Sequence, residues 1–176
     1  MGYAHHWTRP TRIDDAIWSR FKADVETAIR LLQVTASDQW RETGHEPIAL
    51  RGPDGRGRAV VAADSIAFNG DAKRHVAAEP FVFPQDARNG ATGAAGAAVG
   101  EANFSCDTEL HPYDAAVCAI LLIAQRHLGD AFRITSDGSP TEFHWPVARE
   151  IAGTVLRIEA PLAQEGQRIR WGDAST

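Results

Sequence analysis

The chain has 176 residues, room for one domain and too few for two well-cored ones. Hydrophobic residues make up 44% and charged residues 23%, ordinary globular proportions that exclude wholesale disorder. Eighteen Lys and Arg against 23 Asp and Glu leave a formal charge of −5, which disfavours nucleic acid as a partner and leaves room only for a local basic patch.

The opening residues carry no charged stretch followed by an apolar run, so no signal peptide is expected. The most apolar stretch, Ala115 to Ala124, is about half the roughly 20 residues a membrane span requires. Cys106 and Cys118 have no second pair to make a disulfide framework or a zinc ribbon. The expectation is a cytoplasmic protein, reduced, off the membrane and without cofactor or metal.

In chain order, Tyr3 to Thr8 reads as a short aromatic strand. Thr11 and Asp14 resemble a capping box ahead of Ile17, Phe21, Val25, Ala28, Ile29 and Leu32, whose spacing is one face of a helix. Residues 47–50 and 58–62 flank Gly52-Pro53-Asp54-Gly55, a turn signal that predicts a hairpin. Ser65 to Phe68 is a further strand closed by Asn69-Gly70, and Phe81 to Phe83 another. Four glycines between Gly90 and Gly100 predict a linker rather than a phosphate loop, because no Gly-Lys-Ser/Thr follows.

Asp114 to Leu128 is apolar nearly all round and must be a buried helix, started by Pro112 and stopped by Gly129. Phe132 to Thr135 alternates as a strand, and a third helix begins near Pro146. The predicted class is α+β over residues 1–160: a mainly antiparallel sheet with about three helices on one face, in one version an elaborated ferredoxin-like core. Residues 161–176 read as a polar tail.

The candidate site residues are His5, Asn69, Cys106, Thr108, Tyr113, Asp114 and Asp137, polar positions at predicted strand ends or at the start of the buried helix. Convergence on one sheet edge would make a pocket. His5 offers an imidazole for acid–base work or ligand contact. Cys106 precedes a helix start, a setting that suits a thiolate, although a free cysteine is more often a small buried hydrophobe. Cys118, inside the apolar helix, reads as core. His75, His111, His127 and His144 show no metal-ligand spacing. Arg51, Arg56 and Arg58 form a small basic tip.

Several of these segments together resemble a family of small proteins encoded by phages and prophages. The resemblance is carried by Met1-Gly2-Tyr3-Ala4-His5-His6-Trp7, Phe68-Asn69-Gly70, Cys106-Asp107-Thr108 ahead of Pro112-Tyr113-Asp114, and Ser136-Asp137-Gly138. It implies a phage accessory context. Two functions follow as expectations. One is a binding protein that engages a host or defence component, an anti-defence role, or sequesters a small anionic ligand such as a nucleotide. The other is a small hydrolase or transferase with a pocket around His5, Cys106 and Asp114.

Overall fold

A computed structural model describes residues 2–33, 48–89 and 98–173. The elements are β1 (Ala4–Pro10), α1 (Asp15–Leu31), β2 (Val60–Val61), β3 (Ser65–Phe68), β4 (Phe81–Pro84) and β5 (Glu101–Asp107). They are followed by α2 (Asp114–Leu128), β6 (Arg133–Ser136), α3 (Trp145–Leu156), β7 (Leu162–Glu165) and β8 (Arg168–Trp171). Five strands form one sheet in the order β5-β1-β6-β8-β7, and β2-β3-β4 form a second. Every pairing between named strands is antiparallel. The class is α+β, as expected. A ferredoxin-like core is not confirmed.

β1 lies between β5 and β6 and alternates strictly. Tyr3, His5, Trp7 and Arg9 are buried, whereas His6 points to solvent. Trp7 stacks on Phe83 and Phe104, and Phe81, Phe68, Phe21 and Phe132 extend the aromatic cluster, joining the two sheets to α1. Arg9 is fully buried, its guanidinium lying over the rings of Phe83 and Phe104 and donating to the Pro84 and Gln85 carbonyls. Burial lowers its pKa to about 10.

α2 is buried from Asp114 to Gln125, the outcome its all-round apolarity requires. Asp14 caps α1, its carboxylate accepting from the Ala16 and Ile17 N–H groups, so the cap is Asp14 rather than Thr11. The hairpin lies elsewhere than predicted: β2 pairs with β3, and the 52–55 turn leads instead to a single bridge between Arg51 and Asn69. The segment read as a polar tail supplies β7 and β8, because Ile169 is fully buried beside Ile134 and the Gln125 side chain holds the β8 backbone. The predicted Gly-rich linker lies at 90–97 outside the described residues.

Candidate functional site

Asp114 opens α2 and is fully buried, which is costly for a carboxylate unless every lone pair finds a donor. Here the donors are present. The Nε2–H of His5, from β1, donates to Oδ1 at 2.7 Å. The Thr108 hydroxyl, just after β5, donates to the same oxygen. The Nδ1–H of His144, at the start of α3, donates to Oδ2 at 2.7 Å. Burial works against the ionised form, but the hydrogen bonds from His144 and His5 outweigh it and hold the carboxyl well below its usual range.

Cys118 lies one helical turn on from Asp114, with its Sγ 3.6 Å from both His5 Nε2 and Asp114 Oδ2. Burial, and then the Asp114 charge, push this thiol up. His5 Nε2, an Asp114 oxygen and Cys118 Sγ lie within 4.8 Å of one another, a nitrogen, oxygen and sulfur set that could hold a metal ion. His5 is otherwise packed edge-on against the rings of Tyr3 and Trp145. The cluster touches solvent only sparingly through His144, whose side chain is 13% exposed.

Backbone strain surrounds the cluster. Glu109 and Leu110, in the loop from β5 to α2, and Phe143, beside His144, all sit at positive φ without being glycine. Phe143 is 58% exposed and meets the edge of Tyr3. Gly138 is required here, because a Cβ at that position would collide with the Tyr3 hydroxyl.

Of the seven predicted site residues, His5, Thr108 and Asp114 meet. Cys106 pairs with His5 across the β1–β5 ladder, but its thiol donates to the Glu79 carbonyl at 3.4 Å. Burial, and next the Glu79 carboxylate, push that thiol up as well. Tyr113 donates to the same carbonyl at 2.7 Å. Asn69 clamps a loop: its amide donates to the Pro53 and Ala78 carbonyls while its oxygen accepts from the Gly70 and Ala78 N–H groups. Asp137 is exposed and accepts from the Ala4 N–H, pinning the start of β1. His144 carried no sequence signal beyond its place before a helix start; Cys118 was read as core, and its i, i+4 spacing from Asp114 is the signal that could have paired the two.

A second feature lies at the opposite end of α2. A groove of about 190 Å³ is lined by Arg126 in the last turn of α2, Asp130, Phe132, and Arg168, Arg170 and Trp171 of β8. Arg168 and Arg170 are alternate residues of one strand and share a face. The Nε of Arg168 is buried without a hydrogen-bond partner. Arg170 reaches the Trp171 carbonyl and the exposed Glu165 carboxylate. The indole N–H of Trp171 donates to the Leu122 carbonyl at 3.0 Å, fixing the ring. A larger open groove of about 640 Å³ lies along α3, with Arg149 offset by Glu150 and Glu159. The predicted basic hairpin tip is partly neutralised, since Arg51 pairs with Asp71 at 2.9 Å.

No protein-family model matches the chain, and searches of curated proteins and of solved structures return no significant match. Among the described residues, no helix is long and apolar enough to cross a membrane.

Proposed function

We propose that this protein is a binding protein that sequesters a small phosphate-bearing ligand, such as a nucleotide, in the groove between the end of α2 and β8. The observation that carries this reading is the set of three arginines around one cavity, with the Arg168 Nε–H buried and unpartnered. A buried donor left without an acceptor costs about 1–3 kcal/mol, a cost that an anion in the groove removes. Three cations line the groove against one carboxylate, Asp130, with Glu165 meeting only Arg170 from outside it, so the lining is locally positive on a chain of net charge −5. Arginine suits this role through its planar fork of donors. In the phage accessory setting implied by the sequence resemblance, the ligand comes from the host cell.

The alternative, a hydrolase or transferase built on His5, Cys106 and Asp114, has weaker support. Both thiols are held protonated by burial, and Cys106 bonds to a carbonyl rather than to a base. Engagement of a host protein through an apolar patch has less support still. The large hydrophobics exposed among the described residues, Val60, Val99 and Phe143, come from three separate segments.

Titration calorimetry with pyrophosphate and with a nucleoside triphosphate tests the proposal, using the wild type and Arg168→Gln at matched ionic strength. The expected result is saturable binding that weakens with salt and drops at least about tenfold in Arg168→Gln, an effect of the size of one charge-assisted hydrogen bond. Absence of binding by wild type, or equal binding by the variant, overturns it.

A further inference from the structure

We propose that His5, Asp114 and Cys118 form a zinc site, with Thr108 and His144 steadying the carboxylate from its other side. The site is separate from the arginine groove, and neither proposal depends on the other.

The geometry comes first. Zinc bonds of about 2.3 Å to sulfur and 2.0–2.1 Å to nitrogen or oxygen put tetrahedral sulfur-to-nitrogen and sulfur-to-oxygen edges at about 3.6 Å. Cys118 Sγ stands 3.6 Å from His5 Nε2 and 3.6 Å from Asp114 Oδ2. With Oδ2 as the oxygen ligand, the sulfur-to-nitrogen and sulfur-to-oxygen edges are therefore at tetrahedral length already. His5 Nε2 is hydrogen-bonded at 2.7 Å to the other oxygen, Oδ1, a contact that is given up on loading as the imidazole nitrogen turns to the metal.

The donor chemistry agrees. Thiolate, imidazole and carboxylate together match zinc, whereas magnesium and calcium select oxygen alone. Loading releases the Cys118 thiol proton to solvent and moves the His5 proton from Nε2 to Nδ1, where the buried N–H has no protein acceptor, a cost that the three metal bonds outweigh. One carboxylate and one thiolate then neutralise the dication, so a buried site carries no net charge. The outer contacts that metal carboxylates ordinarily need are in place, from Thr108 to one oxygen and His144 to the other. Three protein ligands leave a fourth position for water.

The direct test is metal binding by the full chain. Metal is stripped with chelator, one equivalent of Co²⁺ is added, and the near-ultraviolet thiolate-to-cobalt band is recorded; a competing chromogenic chelator then reports the zinc affinity. The expected result is one tightly held zinc per chain and a cobalt–thiolate band that Cys118→Ser abolishes and Cys106→Ser keeps. Wild type that binds no zinc, shows no such band, or yields a band retained in Cys118→Ser overturns the proposal. Should Cys118→Ser fail to fold, Cys106→Ser decides the matter, because it leaves Cys118 as the sole thiol of the chain: a cobalt–thiolate band in that variant supports the site, and its absence refutes it.

Discussion

Replacing Asp114 by Ala in metal-free protein removes the acceptor of three strong donors, His5, Thr108 and His144, and of the weaker Cys118 thiol. The His5 imidazole and the Thr108 hydroxyl are fully buried and cannot reach water, so each loses about 1–3 kcal/mol. His144 keeps an edge at the surface and rehydrates, so its loss is about 0.5–1 kcal/mol. The sum runs from about 2.5 to 7 kcal/mol and centres near 5, at the top of the range for breaking a buried charged pair. Asp114→Asn keeps one oxygen and much of the volume, so it costs less. Urea unfolding followed by circular dichroism measures both, with Glu26→Ala as the control at an exposed carboxylate on α1. A loss below about 1 kcal/mol for Asp114→Ala means that the cluster is hydrated or rearranged, and the reasoning fails.

Leu121→Ala, in the fully buried middle of α2, is expected to lose about 2–5 kcal/mol by chemical denaturation. Gly138→Ala pushes a methyl group into the Tyr3 hydroxyl and is expected to lose about 1–3 kcal/mol, with relief when Tyr3→Phe is added. Acid destabilises the chain through Asp71 and Asp86, whose carboxyls are held low by hydrogen bonds from Arg51 and Arg88. Their folded pKa values lie below the unfolded value of about 4, so this stability is fully present above pH 4 and is lost as pH falls through the folded values. Urea midpoints at pH 5 and pH 3 check it: Asp71→Asn is expected to show a smaller drop than wild type.

The helices were legible because each announces itself locally. α1 has a polar outer face and an Asp cap, and α2 is so apolar that burial was its only option. β7 and β8 were not, because Leu162–Glu165 and Arg168–Trp171 have only two apolar residues each, and their hairpin is anchored to the core through β6, some thirty-five residues upstream of β8. β5 was hidden for a similar reason, its core-facing side being the only apolar signal in Glu101–Asp107. At the candidate site, His5, Thr108 and Asp114 were legible as polar residues at element ends. His144 was not, since only the packing of α3 against α2 brings it to Asp114. Asn69 and Asp137 are polar for reasons of backbone satisfaction, which sequence cannot distinguish from chemistry.

The ligand groove is tested most directly by nitrogen–proton correlation spectra recorded while pyrophosphate is added. The Trp171 indole N–H and the Arg168 Nε–H report from the groove wall itself. The account predicts that these two signals shift together and saturate, while the N–H signals of Phe143 and His144 stay in place. Shifts centred on Phe143 and His144, or none at Arg168 and Trp171, contradict it.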